Sequence, residues 1–86
     1  MDNEFIIDEE LQDLIDTSIT PEDKQKVYGI VISKLIRQQY SKDMVEAIIN
    51  NYLDDSTNEK HLKEFQDLQS YRKECKIKAK ELLNID

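Results

Sequence analysis

From residue 20 onward, apolar side chains recur every three or four positions with polar residues between them, the period of helices lying against a shared core. The clearest start is Thr20-Pro21-Glu22-Asp23. Thr20 can accept the orphan N–H of Asp23, Pro21 sits where a missing donor costs nothing, and the two acids face the positive end of the helix dipole. A helix is therefore predicted from Pro21. At about 100° per residue, Val27, Tyr28, Ile30, Val31, Ile32, Leu35 and Ile36 cover most of its circumference, leaving Lys26, Ser33 and Arg37 for water. That is the pattern of a central helix. Residues 27–32 are rich enough in β-branched side chains to read as a buried strand, but that would leave residues 21–26 without a role, and no second run could pair with it. Gly29 lies beside the polar stripe, either allowing a close helix crossing or simply tolerated.

Ser41 is the next cap, with Tyr40 and Val45 at the spacing of a hydrophobic staple. The helix it opens presents Met44, Val45, Ile48, Ile49, Tyr52 and Leu53 on one face and Asp43, Glu46 and Asn50 on the other, until the polar run 54–58 ends it. Ser56 and Glu59 have capping-box spacing, so a long fourth helix is predicted from about Glu59 to Leu83, burying Leu62, Phe65, Leu68, Tyr71, Cys75, Ala79 and Leu82. Near the N-terminus, Asp8 caps a short helix with Leu11, Leu14 and Ile15 on one side, and Phe5, Ile6 and Ile7 enter as an apolar arm, residues 1–7 being extended or flexible. The expected fold is all-α: a small three- to four-helix bundle in one domain, residues 1–86, with a short N-terminal helix, a long C-terminal helix and the second helix wrapped by the third and fourth.

Composition strengthens this picture. One glycine and one proline in 86 residues leave almost nothing to punctuate hairpins. A chain this short buries only about 60–65% of its unfolded surface, and the single cysteine forms no internal disulfide, so association with a partner would add noticeably to its stability. No apolar run approaches the ~20 residues of a membrane span, and Met-Asp-Asn-Glu has neither the basic nor the apolar part of a signal peptide, which makes a cytoplasmic setting the expectation.

Charge is arranged in blocks within a net −7: residues 1–23 hold nine acids and no Lys or Arg, 24–42 five bases and no acid, 43–59 five acids and no base, and 60–80 seven bases against three acids. Complementary edges of neighbouring helices account for part of the alternation, although each exposed pair is worth only about 0–1 kcal/mol. The acidic N-terminal segment also has the make-up of a surface that steers a basic partner, and Asp8, Glu9, Glu10, Asp13 and Asp16 are the candidate partner-binding residues.

Little else suggests chemistry. His61 and Cys75 are separated by fourteen residues of one predicted helix, about 21 Å, too far for a dyad or a shared metal ion. The loop 54–59 resembles a calcium loop only in acidity: a loop counted from Asp54 has Glu59 at the sixth position, where glycine is needed, and Phe65 at the twelfth, where a bidentate Glu is needed. There is no Gly-rich phosphate loop and no nucleophile elbow. No enzyme activity, cofactor or metal is expected. Lys73, Lys76 and Lys80 share one side of the fourth helix, with Arg72 adjoining and Lys78 on the other flank. They form an alternative phosphate-binding stripe, opposed by the net charge and the lack of a base-reading set around it. The third helix is acid-rich and offers DNA only Lys42. Ile77 and Ile36, if adjacent, would form an apolar patch suited to a second copy.

The function expected from these features is that of a small acidic protein-binding module, regulatory or inhibitory toward a larger basic partner. The alternatives are a nucleic-acid-associated factor using the lysine stripe and a structural subunit of a homo-oligomer, possible as a homodimer. The preference for Ile, Lys, Asp and Asn over Ala, Arg and Gly is that of an AT-rich bacterial or phage genome.

Overall fold

A computed structural model describes residues 4–85; residues 1–3, and with them the start of the expected N-terminal arm, lie outside the described residues. The chain forms α1 (Glu9–Asp16), α2 (Pro21–Ile36), α3 (Lys42–Asp54) and α4 (Glu59–Leu83), 76% helix with no strand among the described residues. Three of the predicted caps form as expected. The side chains of Asp8, Thr20 and Ser41 accept the N–H groups of Leu11, Asp23 and Met44 at 2.8, 3.1 and 3.0 Å. The fourth differs: Asn58 caps α4, accepting the His61 N–H at 3.1 Å. Ser56 is displaced from that role because Asp55 organises the loop first, its Oδ1 accepting both the N–H and the hydroxyl of Thr57. This moves the capping position two residues on.

The hub of the bundle is α4, which packs along both α2 and α3, while α1 lies on α2. The sequence expectation of a central α2 is corrected here, and the reason lies in length. A 25-residue helix is about 37 Å long, enough for two shorter helices to lie along it in succession. The described chain is accordingly elongated, 45 × 23 × 23 Å. The outward side of α2 stays open, so Ile30 is 48% exposed although it belongs to the wide apolar arc.

The main core joins Leu11 of α1, Val31, Leu35 and Ile36 of α2, and Tyr71, Cys75, Ala79 and Leu83 of α4. From Tyr71 the buried positions of α4 step by four, which brings Leu83 into the core and leaves Leu82 half-buried, the reverse of the expected assignment. The helix is closed by Asn84 in the left-handed region (φ 56°), with the Ile85 N–H returning to the Lys80 carbonyl at 2.9 Å. Toward the other end of α4, Ile48 and Leu68 are buried and the rings of Tyr52 and Phe65 stack with centroids 4.0 Å apart. Met44 and Leu53, expected on the buried face of α3, are exposed, Leu53 at 72%, because α3 packs chiefly along α4 and these two side chains fall outside that contact.

Tyr71 ties the elements together. Its hydroxyl donates to the Leu35 carbonyl at 2.9 Å, and its ring lies 5.9 Å from Phe5 of the arm and 5.5 Å from Tyr40 of the α2–α3 connection. The arm is held a second time by Gln38, whose Oε1 accepts the Ile6 N–H (2.9 Å) and whose Nε2 donates to the Ile6 carbonyl (2.6 Å). One side chain thus gives the arm both hydrogen bonds of a strand partner. The described part of the arm is neither helix nor strand, with Phe5 and Ile7 packed against the core and Ile6 exposed.

Two expectations about single residues change. Ile36 is buried in the main core, so it forms no patch with the exposed Ile77. Gly29 mediates no close crossing: a Cβ built there meets nothing within 4 Å. Its missing side chain therefore only loosens α2, and Gly29→Ala should stabilise the fold by about 0.5–1 kcal/mol, read as a rise of several degrees in the thermal midpoint.

Burial, with Cys75 close by, pushes the Tyr71 phenol up from 10 to about 12. The folded state thus holds this proton more tightly than the unfolded chain. Its contribution is complete below about pH 10 and is lost as pH rises toward 12. Chemical denaturation followed across that range should show stability falling. In Tyr71→Phe the fall should be shallower, from a start about 1 kcal/mol lower at neutral pH because the hydrogen bond to Leu35 is gone.

Candidate protein-binding surfaces

Three charged surfaces emerge from the way the helices are laid together. The first is α1. Its Leu11, Leu14 and Ile15 turn toward α2 and the core, and the helical period then forces Glu9, Asp13 and Asp16 onto the opposite, exposed side within a narrow stripe. Among the described residues none of these three takes part in an ion pair. Asp16 accepts a hydrogen bond from Gln12 Nε2 at 2.8 Å. Glu10 is set apart from them, paired with Lys34 of α2, and Asp8 is committed to capping. The five acids singled out in the sequence therefore divide into two with internal roles and three that face solvent.

The second surface is the lysine side of α4. Lys73, Lys76 and Lys80 are exposed, and Arg72 is half-buried at the edge of α2 and α3. Among the described residues none of these lysines pairs with the acidic segment, whose Glu10 pairs instead with Lys34. Lys78, on the other flank, pairs with Glu81 at 3.9 Å.

The third surface, an open groove of about 650 Å³ along the outer side of α2, was missed in the sequence. Lys26, Gly29, Ile30, Ser33, Lys34 and Arg37 line it, and Asp8 and Leu11 of the α1 end border it. Ser33 and Arg37 also line a separate, smaller cavity of about 230 Å³ together with Ile36, Val45, Ile49 and Arg72. The stripe Lys26, Ser33 and Arg37 was legible as the solvent side of α2. Its concavity was not, since that depends on where α1 and α3 lie.

The reactive side chains are held in structural positions. Cys75 is fully buried, and that burial pushes its thiol above the usual range, so the protonated form prevails at neutral pH. His61 sits in the first turn of α4, which as one continuous helix keeps it about 21 Å from Cys75. Its Nδ1 is buried without a hydrogen-bond partner. In the loop before α4, the Thr57 hydroxyl is the main influence holding the Asp55 carboxyl below its ordinary value, and that carboxyl is occupied in shaping the turn. No cluster of three His, Cys, Asp or Glu side chains suited to a metal ion occurs among the described residues. No described helix is long and apolar enough to cross a membrane.

No family model, curated protein or solved structure matches the chain. The surfaces above therefore carry the functional argument by their physical character.

The placement of Cys75 gives a direct check on this packing. A thiol-specific reagent should modify the folded protein at least 100-fold more slowly than the protein in denaturant, because reaction requires an opening that removes Cys75 from between α2 and α4. Comparable rates in the two states would show the main core to be open.

Proposed function

We propose that this chain is a small acidic protein-binding module of the cytoplasm, regulatory or inhibitory toward a larger basic partner and without a reaction of its own. The observation that carries the reading is the stripe Glu9, Asp13 and Asp16: three exposed carboxylates on one side of a docked helix, with no cation of the described chain paired to them. Like charges held together raise the potential of that side, and a basic surface arriving there relieves the repulsion and associates faster for it. The fold supports the reading by fixing α1 through Leu11 and the Glu10–Lys34 pair, so the stripe is presented in a set orientation. The AT-rich composition fits a bacterial or phage source, and in that setting such a module would suit the inhibition of a host protein.

A second reading rests on the exposed Lys73, Lys76 and Lys80, which have no ion-pair partner among the described residues and could meet phosphates as a nucleic-acid-associated surface. The net charge of −7 opposes it, because the field of the whole chain repels a polyanion before the stripe can engage.

The test is a triple variant, Glu9→Gln, Asp13→Asn and Asp16→Asn, compared with the native chain for capture of partners from native-cell extract at low and high salt. The variant should keep its melting temperature to within a few degrees. Losing Glu9 from the first turn costs a little against the helix dipole, and losing Asp16 from the last turn returns a similar amount. It should lose the salt-sensitive partners. Retention of the same partners by the variant would remove the acidic stripe from the mechanism, and their loss on changing Lys73, Lys76 and Lys80 to Gln would favour the second reading.

A further inference from the structure

We propose that the groove along α2 is a docking site for an acidic amphipathic helix of another protein, a surface separate from the α1 stripe and opposite to it in sign. Its floor and rim differ in chemistry. Gly29 has no side chain and open space above it, Ser33 is small, and the half-exposed Ile30 stands between them, so a neighbouring helix can approach the α2 backbone closely and cover an apolar side chain. The rim is mainly cationic: Lys26 and Arg37 line the groove with Asp8 at its α1 border, and Arg37 is shared with the smaller neighbouring cavity that Arg72 lines. None of these three is in an ion pair among the described residues, whereas Lys34 is already held by Glu10. An otherwise acidic molecule thus keeps three cations without an ion-pair partner among the described residues along the groove and the cavity beside it.

The spacing decides what fits. Lys26, Ile30, Ser33 and Arg37 follow one another by four, three and four residues, a straight track on α2 of about 16 Å, or three helical turns. An occupying helix of matching length would set apolar residues over Gly29 and Ile30 and carboxylates against Lys26, Arg37 and Arg72, the arginines offering paired donors to a carboxylate. A second copy of this chain fits poorly. Two α2 tracks related by a two-fold axis would place Lys26 of one copy against Arg37 of the other when antiparallel, and like against like when parallel. A nucleic acid has phosphates for the rim but nothing for the Ile30 floor, and it meets the repulsion of a net charge of −7.

The proposal is tested on the full ¹⁵N-labelled chain with two synthetic peptides of about 18 residues, one with a leucine face flanked by glutamates and one with the same face flanked by lysines. The glutamate peptide should bind saturably. It should shift the amides of residues 26–38 and those around Val45 and Arg72, while the lysine peptide leaves them unmoved. Lys26→Glu with Arg37→Gln should weaken binding at least about tenfold, and Gly29→Leu, which fills the floor, should do the same. All three positions are exposed. If Gly29→Leu lowers the melting temperature, the charge variant alone carries the test.

Shifts confined to the lysine side of α4, equal binding of both peptides, or unchanged affinity in the charge variant would each overturn the proposal. So would a short oligothymidylate that binds the same residues as tightly as the glutamate peptide, or a native dimer in sedimentation equilibrium that Arg37→Gln dissolves. The outcome is separable from that of the α1 variant, since Glu9, Asp13 and Asp16 do not line the groove.

Discussion

Everything in this small bundle depends on the seating of Tyr71 between α2 and α4. A tyrosine buried to 5% exposure must place its hydroxyl, and here the partner is the Leu35 carbonyl near the end of α2. That bond fixes the position of α2 along α4. The same ring receives Phe5 from the arm and Tyr40 from the α2–α3 connection, so one side chain brings four segments to a common point. Leu35 and Cys75, both fully buried, fill the main core beside it. In a chain with no disulfide and so few long-range anchors, a satisfied buried hydroxyl supplies specificity that apolar contact alone would not.

The length of α4 governs the remainder of the architecture. Its C-terminal half meets α2, its N-terminal half meets α3, and the Tyr52–Phe65 stack secures the second contact. Because α2 and α3 lie along one rod, each has a side with no neighbour. On α3 this leaves Met44 and Leu53 in water; on α2 it leaves Ile30 above the vacant space at Gly29. The exposed apolar residues are thus consequences of the packing plan.

The charge blocks take on meaning only through this geometry. α1 crosses onto α2, and the first acidic and first basic blocks meet there through Glu10 and Lys34. That contact consumes one acid of α1 and one base of α2, leaving an acidic stripe on one side and a cationic rim on the other. A protein of net charge −7 therefore presents both signs on separate faces.

Local structure was legible in the residues alone. Thr20-Pro21, Ser41 and Asp8 set three helix starts because an N-cap is decided by residues within one turn of it, and the apolar periods set which side of each helix faces inward. The acidic stripe on α1 was legible for the same reason: it is the complement of Leu11, Leu14 and Ile15 on a single short helix. Which helix is the hub lay beyond such local signals, because the wide apolar arc of α2 and the length of α4 compete, and arc width does not reveal how many neighbours a helix has. The choice of Asn58 over Ser56 as cap came from the Asp55–Thr57 turn, and the burial of Leu83 over Leu82 from a drift of the contact ridge along 25 residues. The groove of Lys26, Gly29, Ile30 and Arg37 was equally beyond periodicity, since concavity is a relation between helices and no single helix carries it.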